Sequence, residues 1–303
     1  MKPERAGDLY ALVCALICGL GNIPAKVGLK NISTELFNFY FFLFAFGISL
    51  LTLLNPKSRR EIIATNLRSF LIIIGMSVLF SLGIYTFIHS LKLIEPATVS
   101  FLSRVEVIFT IVLAFIFLKE RLKIIELIGG AVAILGVLLL KYETNLVISK
   151  AATLMIASAF FFTVAEILVK RFVNEIGTVR FVFIRNLFAV VFFFAIVHLR
   201  GKAFYIPDTT TLGMTFLAAL LLPILGRLTY IKALQRINIS RAALITQSTP
   251  LFTALFAFLI LKTYPTLMEW LGGLLIIMGV VIVRMTGLKI ISRPPKTVAK
   301  PPM

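Results

Sequence analysis

The sequence predicts an all-α integral membrane protein of ten transmembrane helices, arranged as two inverted five-helix repeats. Three observations carry that reading. Hydrophobic residues make up 59% of the 303, the mean hydropathy is +1.01 and 28 residues are Phe, more apolar surface than a soluble domain of this length can bury. Apolar runs of about 20 residues, each long enough to cross a hydrocarbon core about 30 Å thick, fall at 9–29, 35–54, 69–91, 97–118, 122–140, 151–169, 177–199, 211–232, 241–261 and 267–288. Finally, the stretch 90–140 is written again at 233–283 with a constant offset of 143 and no gap.

Apolar residues coincide easily in so greasy a chain, so the weight of the repeat rests on its polar and glycine pairs. Lys119, Glu126, Gly129, Gly130 and Gly136 recur as Lys262, Glu269, Gly272, Gly273 and Gly279. Five helices is an odd number, which turns the second repeat upside down relative to the first. The expected division is 1–145 for the first repeat, 146–288 for the second and 289–303 for a disordered cytoplasmic tail with Pro294, Pro295, Pro301 and Pro302 among lysines. The runs are continuously apolar and lack the alternation of an outer-membrane barrel strand.

The formal charge of +18 and pI ≈ 10.3 invite a nucleic-acid reading, which the placement of the charge excludes. With the N-terminus cytoplasmic, 19 of the 31 Lys and Arg fall at or near cytoplasmic helix ends and 8 at the opposite ends. Arg104, Arg180, Arg185 and Arg227 lie within or at the edge of apolar runs. This is the positive-inside bias of a multi-pass protein of the bacterial inner membrane, with both termini cytoplasmic. The bias follows the inversion: Arg121 and Lys123 follow Lys119, whereas Thr263, Tyr264, Pro265 and Thr266 follow Lys262.

Taken in order, the first span carries Cys14 and Cys18 one turn apart, read as packing residues because no His or carboxylate accompanies them as a metal ligand. It also carries Asn22, the hinge candidate Pro24 and Lys26, and its length marks it as retained rather than a signal peptide. The third span places Ser77, Ser81, Tyr85 and His89 at four-residue spacing. In the fourth, Ser100, Ser103, Glu106 and Thr110 share a stripe about 120° wide, and the offset of 143 maps them to Ala243, Thr246, Thr249 and Thr253. Arg104 lies about 200° from Glu106 at 100° per residue, so each needs another partner, with Arg227, Arg185, Glu166 or a ligand as candidates.

The fifth and tenth spans carry Gly129, Gly130, Gly272 and Gly273, which suit close helix packing or a homodimer contact. The sixth has Thr163 and Glu166, the latter four residues before Lys170 and so open to a helix-surface ion pair. Arg185 and Asn186 lie in the seventh, Arg227 and Tyr230 in the eighth a turn below Pro223, and Gln247, Ser248, Thr249 and Pro250 in the ninth. Pro250 removes the backbone donor that would reach the carbonyl of Thr246, which marks a second hinge.

Two matched polar faces presented from opposite directions are what an inverted-repeat transporter uses to enclose a midplane site. The short-looped ten-helix plan, the inverted halves, the Lys119-Glu120 exit of the fourth helix and the Gly-Gly starts of the fifth and tenth resemble the drug/metabolite transporter superfamily, in its EamA-type ten-helix branch. The resemblance covers nearly all of 8–288. It departs from the pattern at Lys262-Thr263, where an acidic residue is favoured, and in the charged pair Arg104 and Glu106. It implies a metabolite or amino-acid exporter with a central cavity lined by helices one to four and six to nine, and so assigns Ser103, Glu106, Gln247 and Thr249 to that cavity.

Buried Arg and Glu together favour a zwitterion such as an amino acid, because Arg clamps a carboxylate and Glu takes an ammonium. The expected substrate contacts are Asn22, Tyr85, Ser103, Arg104, Glu106, Glu166, Arg185, Arg227, Tyr230, Gln247 and Thr249, with Glu106 and Glu166 as proton-coupling candidates. The alternative is exchange of a larger anionic or nucleoside-type metabolite on the three arginines, with Tyr85 and Tyr230 as stacking surfaces. No phosphate loop for ATP, cofactor motif or metal motif is written in the chain. An intramembrane enzyme is remote: the two histidines, His89 and His198, lie near helix ends, and there is neither His-Glu-x-x-His nor Gly-x-Ser-x-Gly. The expected partners are a small-molecule metabolite and the lipid bilayer.

Overall fold

A computed structural model describes residues 3–106, 146–237, 239–246 and 248–263 of the chain, with scattered helical positions between 109 and 135 and between 267 and 282. Among the described residues every regular element is helical. Six helices are long and apolar enough to cross a membrane: Arg5–Gly28, Thr34–Leu54, Leu67–Leu93, Lys150–Ile176, Thr178–Leu199 and Thr209–Leu234. A shorter apolar helix spans Thr249–Leu261. Most of the fifth and tenth spans and the tail lie outside the described residues, as do Gly129, Gly130, Gly272 and Gln247; Gly273 is a buried helical position.

The elements are α1 (Pro3–Gly28), α2 (Thr34–Leu50), α3 (Pro56–Ile63), α4 (Leu67–Leu93), α5 (Pro96–Leu102), α6 (Leu146–Ile176), α7 (Thr178–Leu199), α8 (Thr209–Ala219), α9 (Arg227–Leu234), α10 (Ile239–Thr246) and α11 (Thr249–Phe256). Side chains at the starts take up the orphan amides that a helix leaves at its N-terminus. Ser33 Oγ accepts from Leu36 N at 3.2 Å, Asn66 Oδ1 from Ser69 N at 2.8 Å and Asp208 Oδ2 from Thr211 N at 3.0 Å. Together with the Thr211 hydroxyl, that amide holds the Asp208 carboxyl below its usual range. The short helix α3 occupies what the sequence reads as a polar connector; Asn55 caps it and Pro56 starts it, a position where the missing amide hydrogen is harmless.

Two spans depart from regular α-helix at proline. Pro223 sits within a π-helical segment, Leu220–Gly226, that joins α8 to α9. At the ninth span, α10 ends at Thr246 and α11 restarts at Thr249 with Pro250 in its first turn. The Thr246 carbonyl that proline frees accepts from Thr249 Oγ1 at 2.7 Å. Pro24, by contrast, is accommodated inside an unbroken α1, so a local break is present at Pro250 and absent at Pro24.

Contacts at the helix ends fix their relative directions. Gly7, in the first turns of α1, packs against Arg236 and Ile237 just beyond the end of α9, and Gly28 at the other end packs against Thr215 in α8. Therefore α1 and the Thr209–Leu234 span run in opposite directions. Ser90 Oγ, at the end of α4, donates to Ala151 O at the start of α6 at 3.1 Å, and α6 ends beside α3, where Gly177 approaches the Glu61 carboxylate. Gly177 has φ +87, the left-handed region that lets the chain reverse tightly from α6 into α7. One end of the bundle thus gathers the start of α1, α3 and the ends of α6 and α9. The other gathers the ends of α1, α4 and α7 and the starts of α6 and α8.

The apolar core runs between these helices around Phe37, Phe41, Phe181 and Phe193, all but fully buried. Close crossings use glycine: a Cβ at Gly19 meets Phe252 Cβ at 2.6 Å and the Thr253 amide nitrogen at 3.0 Å where α1 crosses α11. Gly19→Val is expected to destabilise the protein by about 1–3 kcal/mol through overpacking. Gly47→Ala, whose Cβ meets nothing within 4 Å, is expected to leave thermal unfolding in detergent unchanged or raise its midpoint.

Candidate functional site

A cavity of about 250 Å³ lies where α1, α2, α4, α6, α7, the π-helical segment, α9 and the broken ninth span converge with the residues following α5. Its wall includes Asn22, Ser103, Glu106, Glu166, Arg185, Arg227, Tyr230 and Thr249 from the sequence-derived set. Arg104 lies beside it in a 3₁₀ turn, Ser103–Val105, with its side chain outside the described positions. These lining residues come from helices one to four and six to nine.

The electrostatic centre is an ion pair across the cavity. Glu166 in α6 accepts through Oε1 from Nη1 of Arg227 in α9, and both residues are buried. Among the described residues, Glu166 Oε2 and Arg227 Nε and Nη2 have no hydrogen-bond partner. The Arg227 guanidinium stands 4.3 Å from the Phe80 ring centre, 5.3 Å from Phe181 and 5.9 Å from Tyr230, so aromatic faces supply part of the solvation lost on burial. The local pair with Lys170 that the sequence allows is not made: Lys170 Nζ turns to the carbonyls of Leu234 and Ile237.

Arg185 approaches the same two rings, its guanidinium 5.8 Å from the Phe80 ring centre and 6.0 Å from that of Phe181. It is buried and donates to Asn186 Oδ1 through Nε at 3.2 Å and Nη2 at 2.8 Å, and to the Pro223 carbonyl at 2.8 Å. Asn186 is itself anchored, its Nδ2 donating to Ser49 Oγ at 2.9 Å. The proline-bearing π-helical segment thus presents a carbonyl that holds a second guanidinium at the cavity wall. Among the described residues, Glu106, Glu166, Arg185 and Arg227 give the lining two acids and two bases, a balance that sums to zero when all four are ionised.

A smaller polar junction ties three helices together beside the cavity. Asn22 Nδ2 donates to Ser100 Oγ at 3.1 Å and to Thr253 Oγ1 at 3.4 Å, and Ser100 Oγ donates to Thr253 Oγ1 at 3.0 Å. Other hydroxyls of the predicted stripes bond back to their own helix: Ser103 to Ser100 O at 2.8 Å, and Ser77 to Ile73 O at 2.7 Å.

Tyr85 stands apart from the cavity lining. Its hydroxyl donates to Glu35 Oε1 at 3.4 Å and accepts from Arg200 Nη2 at 3.2 Å, while His89 Nε2 lies 3.6 Å from the same Glu35 oxygen. Residues four apart advance 40° around a helix at about 100° each, so Ser81 faces the cavity while Tyr85 and His89 have rotated toward α2. Glu35 is a buried acid that sequence reasoning passed over, because an acid in the first turn behind Ser33 reads as an ordinary dipole-complementing residue. Cys14 and Cys18, read from their one-turn spacing as packing residues, also line the cavity, as do Phe80, Ser158 and Phe162.

The profile of the EamA-like transporter family matches the chain twice, over residues 5–142 and 149–285. The chain belongs to the EamA-like transporter family. Among its relatives, the uncharacterized inner membrane transporter YicL of Salmonella typhimurium is 26% identical over 293 residues, 93% of this chain and 96% of its own length. An uncharacterized transporter of Synechocystis sp. is 23% identical over 213 residues; that match covers 66% of this chain and 61% of the relative. A solved crystal structure shares the fold with a TM-score of 0.70 at 13% identity, covering 94% of this chain and 99% of its own. This EamA-like chain is therefore a multi-span membrane transporter rather than an enzyme.

The two family matches begin 144 residues apart and end 143 apart. In those registers the cavity wall of this EamA-like transporter is built from equivalent positions: Cys14 with Ser158, Cys18 with Phe162, Asn22 with Glu166, Phe42 with Arg185, Phe80 with Pro223, Ile84 with Arg227, Phe87 with Tyr230, Ser103 with Thr246 and Glu106 with Thr249. The scaffold repeats and the charge does not. Three of the four charged groups come from the second half, opposite Asn22, Phe42 and Ile84.

Removing one partner of a buried pair strands the other charge, at about 3–5 kcal/mol. Arg227→Leu and Glu166→Leu are each expected to lower the unfolding midpoint sharply. The double variant is expected to recover most of the loss, a coupling readable in a double-mutant cycle of thermal unfolding in detergent.

Proposed function

We propose that this chain is a secondary transporter that moves a small zwitterion, an amino acid or a related amine-carboxylate, by alternating access to the central cavity. The observation that carries the reading is the Glu166–Arg227 pair with its remaining donors and acceptor unused and Arg185 nearby. A solute carboxylate takes the free guanidinium donors, a solute ammonium takes Glu166 Oε2, and each contact replaces part of what the ion had in water. The balance of two acids and two bases suits a solute of zero net charge. A cavity of about 250 Å³ lies just below the range for drug-sized ligand sites, about 300–1,000 Å³, and suits a solute as small as an amino acid.

The two halves, 1–145 and 146–288, are taken as an inverted pair completed by the fifth and tenth spans to ten helices. The opposed directions of α1 and the Thr209–Leu234 span support the inversion, and the distribution of Lys and Arg supports cytoplasmic termini in an inner membrane. Drive comes from the solute gradient, exchange or protons, with Glu106 and Glu166 as the acids in the cavity wall that can carry a coupled proton. A second reading, transport of a nucleoside-type metabolite, draws on the aromatic lining of Phe80, Phe162 and Tyr230; the cavity volume favours the smaller solute.

Flux in proteoliposomes separates the two. Labelled amino acids are expected to cross saturably and adenosyl compounds not to compete, with Glu166→Gln reducing flux by about tenfold or more, equivalent to about 1.4 kcal/mol. A pH gradient is expected to accelerate the wild type and not Glu106→Ala. Unchanged rate and pH dependence in Glu106→Ala removes the role given to Glu106, and flux of adenosyl compounds alone replaces the zwitterion reading with the second one.

A further inference from the structure

Outside the cavity, the two ends of the bundle carry the same polar construction. At one end Lys26 Nζ, in the last turn of α1, donates to Leu91 O at 3.0 Å and Ile94 O at 2.7 Å. At the other, Lys170 Nζ near the end of α6 donates to Leu234 O and, at 2.9 Å, to Ile237 O. The lysines are 144 residues apart and both acceptor pairs 143 apart, the registers in which the two family matches begin and end. These are the same contacts made twice, at opposite ends of the molecule.

Beside each, an equivalent donor position reaches a different acceptor. Lys92 Nζ donates to Ile32 O at 2.6 Å ahead of α2, and Gln235, its equivalent, donates through Nε2 to Thr178 Oγ1 at 3.0 Å at the start of α7. Each lysine satisfies carbonyls left over at the end of a helix, where a cation is also favoured by the dipole. Among the described residues neither Lys26 nor Lys170 has a carboxylate within ion-pair distance. Each is half-buried and donates to neutral carbonyls, an arrangement that separates without breaking an ion pair.

The acceptors sit at the ends of α4 and α9 and in the turns that lead from them into α5 and α10. The latter two helices run on to Ser103 and Glu106 and to Thr246 and Thr249 in the cavity wall. We infer that Lys26 and Lys170 are the paired gate residues of the transport cycle, each fixing the hairpin between the third and fourth helices of its half against the first. Release of one latch at a time opens the cavity to one face while the other stays shut. The inference rests on the alternating-access part of the proposed function and not on the identity of the solute.

Cys14 and Cys18 are the only two cysteines of the chain, both are free thiols, and both line the cavity. A membrane-impermeant maleimide applied to the full-length protein in right-side-out or inside-out vesicles therefore reads access to the cavity from each face, with Cys18→Ala locating the signal. Lys26→Met, which keeps the stem and removes the donors, is expected to raise labelling from the face that carries Lys26 by about tenfold and lower it from the other. Lys170→Met is expected to do the reverse, and the Lys→Arg variants to label as the wild type. Should a methionine variant not reach the membrane, Lys26→Gln and Lys170→Gln are read in the same way. Rates unchanged by either substitution, or changed by the same factor from both faces, overturn the inference and leave the lysines as static caps. Labelling needs no solute, so a failed zwitterion flux with opposite labelling responses overturns the substrate reading alone.

Discussion

The ion pair between Glu166 and Arg227 is the constraint to which the rest of this structure answers. A charged side chain at mid-bilayer depth costs about 2.5–3.5 kcal/mol on insertion scales, and here four such groups line one cavity. The surroundings are arranged to make that tolerable. Phe80 and Phe181 stand within about 6 Å of both guanidiniums, Asn186 and the Pro223 carbonyl hold Arg185, and α6 and α9 are set so that one carboxylate meets one guanidinium. The pair leaves one acceptor and two donors unused. The proposed binding role rests on that incompleteness, because a fully satisfied pair has nothing left to offer a solute.

Duplication explains how such a centre arises within a single repeating scaffold. Equivalent positions on the two halves meet across the cavity, so every wall position exists in two copies from the start. Asn22 opposite Glu166 and Ile84 opposite Arg227 illustrate how side-chain divergence at matched positions turns a symmetric vestibule into an asymmetric site. The latches at the two ends have kept their chemistry where the centre has not: Lys26 and Lys170 make the same contacts. A binding centre needs one orientation of solute, and an access mechanism needs two equivalent ends.

Much of this was legible in the sequence, and the reasons it stopped are local. Continuous apolar runs marked the helices because lipid leaves the backbone no other way to satisfy itself, and Ser103, Glu106 and Thr249 were drawn to the cavity by a periodic stripe. Glu166 was legible as a buried acid, but its partner was not: Lys170 one turn away is the local choice, and only packing reveals that the lysine ammonium is engaged by Leu234 and Ile237. Tyr85 was misplaced because four-residue spacing hides a slow rotation around α4. Pro223 was noted only as lying a turn above Arg227, and packing reveals the π-helical segment whose carbonyl serves Arg185. Cys14 and Cys18 read as packing because a small apolar residue looks alike against a neighbouring helix and against a cavity.

The most direct test is competition for binding to the purified transporter among three solutes of one carbon skeleton: an amino acid, the amine that lacks its carboxylate and the acid that lacks its ammonium. The account predicts that only the zwitterion displaces a labelled amino acid, because the free donors of Arg227 and the free oxygen of Glu166 each need a partner of opposite charge. Equal displacement by the deaminated acid, or by the amine, would contradict it and show that the buried pair is scaffold rather than binding centre.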